Sequence, residues 1–253
     1  MPDIHGCLPE LRQALTKVDL TDAATRLVFL GDYIDRGPDS LGVLTLVKEL
    51  DQAQPGQIIA LRGNHEQWFL DWIDADDTDP TWLLADAGFT TTRSFLPPEV
   101  IGDLVAELTD AIGRGGIDAG LAGEVNAAVK KEVTSRHRDL IAWLRRRPLY
   151  YETDTHVCVH AGVDEEAGPH WKTMTPDEVF TDKYPPSLGA HTVGKTIVAG
   201  HVGVGPLHAA EGRMRCWDPF VDDGHIYLDG SVESTGQLNV MRHDGVAGTT
   251  DFI

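Results

Sequence analysis

The chain has 253 residues, 42% of them hydrophobic, and a formal net charge of −19. That length and apolar content suffice for one large core, so residues 1–253 are expected to form one domain. So acidic a surface repels a nucleic-acid backbone and disfavours a duplex-binding role. No run approaches the ~18 apolar residues of a membrane span.

In chain order, LPELRQALTKV (8–18) reads as a helix with an early proline, and RLVFL (26–30) as a short buried strand. Pro38-Asp39-Ser40 is a start signal for a second helix, SLGVLTLVKEL (40–50), and QIIAL (57–61) is a second strand. DWIDADDTD (71–79) is the densest acidic stretch. It lacks the glycine and terminal glutamate of a calcium loop and is expected as solvated loop. From about 97 to 136 the composition shifts to Ala, Gly, Asp and Glu, with GRGG (113–116) between EVIGDLVAELTDAI and LAGEVNAAVKKEV. This predicts a helical hairpin or cap inserted between site strands. HVCV (156–159) and KTIVA (195–199) are further strands, and the strand-rich part from about 195 is expected to supply a second sheet.

Each of these four strands runs into a segment carrying groups that bind metals. DIHG (3–6), GDYIDRG (31–37), RGNHE (62–66), VHAG (159–162) and AGH (199–201) offer Asp3, His5, Asp32, Asn64, His160 and His201. Any one of them alone is more simply a turn or a core histidine. Their shared context changes the reading, because ligands delivered from the carboxyl ends of several strands converge at one sheet edge. Carboxylate, imidazole and amide oxygen together suit two neighbouring divalent cations of intermediate hardness, such as manganese, iron or zinc. Asp35, Arg36, Arg62 and His65 lie in the same segments. Metals, arginines and a histidine together suit hydrolysis of a phosphate ester.

Cys7, Cys158 and Cys216 are too few and too odd in number for a disulfide framework and suit a reducing cytoplasm. Met1 is followed at once by a site motif, so no leader is expected and the location is expected to be cytoplasmic. Cys158 reads as a small core residue and Cys7 as incidental, although a helix start can lower a thiol pKa.

In this order the motifs resemble the phosphoprotein phosphatase family of calcineurin-like metallophosphoesterases, specifically its bacterial and phage serine/threonine protein phosphatase branch. WLLADAGFTTTRSF (82–95), HRDLIAWLRRRPLYYETD (137–154) and HIYLDGSVESTGQLNVM (225–241) resemble the segments that family places after GNHE, before HAG and at the closing strand pair. The resemblance implies an α/β/β/α sandwich with a dinuclear site at the sheet edge. It implies that Asp3, His5 and Asp32 hold one divalent ion and Asp32, Asn64, His160 and His201 a second, with manganese expected. It further implies attack by a metal-bridging hydroxide, Arg36 and Arg62 clamping the phosphoryl oxygens, His65 as general acid and Asp35 orienting it.

Two departures from that family pattern stand out. Only Met1 and Pro2 precede Asp3, where the family has an apolar strand, so Asp3 and His5 are expected to be poorly fixed and the first metal weakly held. The family's third phosphate-binding arginine is missing from DEVFTDKYPPS (177–187), and Lys183 is expected in its place as a point charge. The implied substrate is a phosphoprotein or small phosphoester, with no nucleic-acid or membrane partner. The leading function is a serine/threonine protein phosphatase. The alternatives are a symmetrical diadenosine tetraphosphatase, which usually lacks the aspartate found here as Asp35 and carries GNHD, and a non-catalytic metal-binding regulator.

Overall fold

The computed structural model describes residues 1–75, 78–103, 106 and 119–253. GRGG (113–116) and most of the first amphipathic run of the insertion lie outside the described residues.

Strands β1 (Leu27–Phe29) and β2 (Ile58–Ala60) pair in parallel, with Leu27 opposite Ile58 and Phe29 opposite Ala60. A second sheet contains β3 (Tyr150–Glu152), β4 (His156–Val159), β5 (Thr196–Ala199), β6 (Phe220–Val221) and β7 (His225–Tyr227). Its spatial order is β3-β4-β5-β7-β6, with β4, β5 and β7 mutually parallel.

Side chains alternate between the two faces of each strand, and three apolar clusters record the result. Val28, Ile59, Cys158, Val198 and Ile226 meet between the sheets together with Leu30, Leu61 and Leu228. Leu27, Phe29, Ile58 and Ala60 face outward onto helices α1 (Leu8–Leu15), α2 (Ser40–Ala53) and α3 (Asn64–Asp74), meeting Leu11, Val43, Leu44, Val47 and Phe69. Val157, Val159, Ile197, Ala199 and Tyr227 face the other way, onto Trp171, Phe180 and Leu207. Those layers are α/β/β/α, as the resemblance implied. Parallel pairing brings the carboxyl ends of β4, β5 and β7 to one edge of the second sheet, and those of β1 and β2 to one edge of the first.

Asp39 caps α2 by accepting from the Gly42 amide at 2.8 Å, so the expected start signal operates. The first helix stops at Leu15 rather than at residue 18. The second sheet begins at Tyr150, well before residue 195. Residues 225–241 do not form a strand pair. Ser231 has φ +53° and opens a short helix, Val232–Thr235, which ends the period-two pattern after β7. The closing hairpin comes later, as β8 (Met241–Asp244) with β9 (Thr249–Phe252).

The later part of the insertion is helix α4 (Ala119–Arg136), and residues 98–103 before it are also helical. Val125, Val129 and Val133 of α4 join the core outside the first sheet, and Asn126 accepts from the Trp72 indole at 2.8 Å. This helix therefore packs as structural cover.

The expectation of a loose N-terminal segment is corrected. The Met1 ammonium donates to the Val28 carbonyl and the Leu30 amide donates to the Met1 carbonyl, both at 2.9 Å. The Ile4 and His5 amides both donate to the Asp32 carbonyl, at 2.8 and 2.9 Å. Residues 1–5 are buried throughout, and backbone pairing beside β1 fixes them.

Candidate metal centre at the sheet edge

Turns at the sheet edge force unusual backbone geometry on residues that are not glycine. His5, Asp32, Asp35, Arg36 and His201 all have positive φ, between +45° and +70°. Such strain persists only where the surroundings impose it, and it gathers at functional sites. Crowding enforces the turn after β1. A Cβ on Gly31, whose φ is +111°, would lie 2.6 Å from the Gly63 amide nitrogen.

Glu66 ties the two neighbouring turns together. This fully buried carboxylate accepts from the amides of Asp32 (2.8 Å), Tyr33 (2.7 Å), Ile34 (3.3 Å) and Gly63 (3.0 Å). Burial and the Asp32 charge nevertheless push its carboxyl up to about 7.

Three imidazoles are each fixed through Nδ1. His5 bonds the Ile34 carbonyl at 2.8 Å, His160 the Leu30 carbonyl at 3.0 Å, and His65 the Asp35 carboxylate at 2.6 Å. The three Nε2 atoms then gather around Asp32, at 3.6 Å (His5), 3.4 Å (His160) and 3.8 Å (His65) from its carboxylate oxygens. Asn64 Oδ1 sits 2.9 Å from His160 Nε2 and 3.2 Å from His201 Nδ1. Both Asp3 oxygens accept from the His201 amide, at 3.0 and 3.1 Å, and Oδ2 lies 3.9 Å from His5 Nε2. The structure thus brings together Asp3, His5, Asp32, Asn64, His65, His160 and His201. Ligand atoms of His5, Asp32 and His65 lie within 4.8 Å of one another, as do those of Asp32, His160 and His201.

The electrostatics are those of a buried site. Burial pushes the Asp32 carboxyl up, but His160, His65 and His5 outweigh it and hold Asp32 below the ordinary carboxylate range. Burial lowers His160, yet Asp32 raises it further, to about 10. His5, by contrast, is taken down to about 3 by burial. His65 is lowered by burial and raised more strongly by Asp32 and Asp35, ending above its ordinary value. Asp3 is raised by burial and by the nearby carboxylate of Asp229.

Asp35 is buried in a polar socket. Its amide donates to Ser40 Oγ (3.1 Å) and Thr91 Oγ1 (2.9 Å), and the Thr91 hydroxyl donates back to its carboxylate. Arg36 reaches the same region, with Nη2 3.5 Å from His65 Nε2 and Nη1 3.3 Å from Glu233 Oε1. Arg62 is half-buried, with its Nε inaccessible and without a hydrogen-bond partner. Lys183 is not brought into the cluster. Its ammonium is held by the Val163 carbonyl (2.7 Å) and Glu165 (2.8 Å). The neighbouring Asp182 is the residue that approaches, 3.6 Å from His201 Nε2.

Several participants carried no sequence signal of their own. Thr91 and Glu233 act across long sequence separations, and Glu66 closes RGNHE behind Asn64 and His65 with no pattern that marks it as the acceptor for four amides. Asp229 had one usable signal, since a strand ending in Asp-Gly repeats the pattern of the other site strands. Burial raises its carboxyl to about 6. Cys7 is buried, which lifts its thiol to about 11, the opposite of an activated cysteine. No helix of the described residues is long and apolar enough to cross a membrane.

Comparison with known proteins follows these features. Serine/threonine-protein phosphatase 1 of Salmonella typhimurium (strain LT2) is 43% identical over 82 residues, 32% of this chain and 35% of that protein. The symmetrical bis(5'-nucleosyl)-tetraphosphatase of Nitrosospira multiformis is 29% identical over 161 residues, 64% of this chain and 42% of that protein. The matches span only 35% and 42% of those relatives' own length. The crystal structure of a cold-active protein-tyrosine phosphatase of a psychrophile, Shewanella sp., shares the fold with a TM-score of 0.55 at 15% identity, covering 100% of this chain and 78% of that one. The sequence profile described as calcineurin-like phosphoesterase matches residues 1–204, a stretch that includes all of the clustered side chains. With its strand-end ligands and layered sheets, this chain belongs to the calcineurin-like phosphoesterase family.

Proposed function

We propose that the protein is a metal-dependent phosphomonoesterase acting first on phosphoserine and phosphothreonine in proteins. The observation that carries this reading is the buried His65–Asp35 pair beside a cluster of converging ligand atoms. Similarity to a serine/threonine-protein phosphatase supports the substrate class.

The residues fit two divalent ions. His5 Nε2 is buried without any hydrogen-bond partner, and one Asn64 oxygen faces two ring nitrogens. Such convergence leaves donor atoms paired with each other that a cation would satisfy better. Asp3, His5 and Asp32 would hold one ion, and Asp32, Asn64, His160 and His201 the other. The absence of cysteine from the set favours manganese, iron or zinc over softer metals, and manganese is our choice. When bound, the ions supply an activated water and polarise the phosphoryl oxygens.

The protein's own groups do the rest. Arg36, and Arg62 beside it in the motif set, would bind the phosphoryl oxygens through guanidinium N–H groups. His65 would hold a proton at Nε2 and pass it to the leaving alkoxide, because Nδ1 is committed to Asp35. Asp35 keeps the ring oriented and charged, and Thr91 with Ser40 keeps Asp35 oriented. Lys183, held by Glu165, is set aside as a phosphate ligand in this reading.

A second reading is a symmetrical tetraphosphatase, favoured by the longer match to a protein of that name. The Asp35–His65 pair and GNHE weigh against it. Matched assays of a phosphothreonyl peptide and diadenosine tetraphosphate in the same manganese buffer separate the two. Faster turnover of the peptide is expected, and a preference for the dinucleotide of tenfold or more would reverse the assignment.

A further inference from the structure

His65 is locked on one side, with Nδ1 on Asp35, so a leaving oxygen has only Nε2 to approach. Whatever is bonded to that oxygen must sit against the wall next to His65. His5, Arg36 and Trp68 border the His65 ring, and of these Trp68 carries the large apolar surface. Trp68 lies three residues on along α3, on the same helix face, with its ring 4.9 Å from the His65 ring and tilted 52° to it.

The other aromatic side chains of this helix, Phe69 and Trp72, are buried in the core. Trp68 is 42% exposed. A partly exposed indole beside a buried histidine offers stacking to a flat ring and little to an aliphatic methylene. The cation nearby, Arg36, lies 3.5 Å from His65 Nε2 and is held by Glu233, and its guanidinium matches the phosphate rather than the leaving group.

We propose that Trp68 is a specificity-determining residue that forms part of the wall of a leaving-group subsite and extends the substrate range from alkyl to aryl phosphate esters, phosphotyrosyl residues among them. The inference rests on the phosphomonoesterase reading and adds a leaving-group preference to it. A ring bonded directly to the leaving oxygen can reach the indole, whereas a base held beyond a ribose and further phosphates is displaced from it.

The test uses manganese-loaded protein and two peptides identical except for phosphotyrosine or phosphoserine. In Trp68→Ala the ratio of kcat/KM for the phosphotyrosyl over the phosphoseryl peptide should fall roughly three- to tenfold, the range expected for one aromatic contact. Trp68→Phe should restore most of the ratio. Equilibrium binding provides a readout without turnover, because phenylphosphonate should lose its advantage over methylphosphonate in Trp68→Ala. Parallel losses on both peptides, with a shifted pH profile, would mean that Trp68 merely shields His65 and would overturn this inference alone. If wild type turns over neither peptide, the phosphomonoesterase reading fails and this proposal falls with it.

Discussion

His65 and Asp35 share a 2.6 Å hydrogen bond from Nδ1 to Oδ2, and both side chains are withdrawn from water. A carboxylate in that position fixes the tautomer and favours the protonated ring, which is what a leaving-group acid needs. His65→Asn should therefore lower kcat on alkyl phosphates by roughly 10²–10⁴-fold. The loss should be smaller for p-nitrophenyl phosphate, whose leaving group needs little protonation. Asp35→Asn should reproduce part of the same pattern. Equal losses on both substrates in steady-state assays would place His65 in metal geometry instead.

Glu66 makes a stability prediction. Glu66→Ala leaves the amides of Asp32, Tyr33, Ile34 and Gly63 buried without an acceptor. At about 1 kcal/mol or more for each orphaned donor, the variant should lose about 4 kcal/mol. For a chain of this size that corresponds to roughly 8–16 °C in Tm, measured by calorimetry. A loss below about 2 °C would show that water or another acceptor replaces the carboxylate.

Much of this could be read from the chain, for a local reason. Each site strand is a short apolar run closed by glycine, and its ligand sits within a few residues of that closure, as in β2 followed by Asn64 and β5 followed by His201. The turn geometry, the ligand and the strand end are therefore all encoded together. What escaped is long-range. Thr91 supports Asp35 across 56 residues, and nothing near either residue announces the contact. Lys183 stands where the family pattern has an arginine, but Glu165, 18 residues away, takes its charge. The N-terminal segment was misjudged because its anchoring comes from the backbone of β1 and from the His201 amide, not from its own residues. Residues 225–241 resemble a closing strand pair, but the placement of Asp229, just past β7, beside Asp3 depends on sheet order, which a single sequence does not state.

The buried cluster around His225 sets a pH dependence of stability. His225 lies 3.0 Å from Asp222 and 3.3 Å from Glu165. Burial lowers its pKa, but the two carboxylates outweigh burial and hold it above the ordinary value of 6.5. Its stabilising contribution is then complete below the unfolded value and is lost as pH rises through the raised folded one. Wild type should therefore lose its thermal advantage over His225→Gln as pH increases above about 6.5. Glu165, pushed up by burial but held down to about 2 mainly by His225 and Lys183, loses its own contribution only in acid, as pH falls below its ordinary range. Parallel Tm-against-pH curves for wild type and His225→Gln would contradict the assignment.

In the proposed site, Asp3, His5, Asp32, Asn64, His160 and His201 would hold two divalent ions on which phosphoester hydrolysis depends. The most direct measurement strips the protein with chelator, removes the chelator, and follows phosphothreonyl-peptide turnover and bound metal together as manganese is returned. The account predicts no turnover in the stripped protein and full recovery at two manganese ions per chain, with Asp32→Asn weakening both. Full turnover in excess chelator, or full recovery at a single ion that Asp32→Asn leaves untouched, would contradict it.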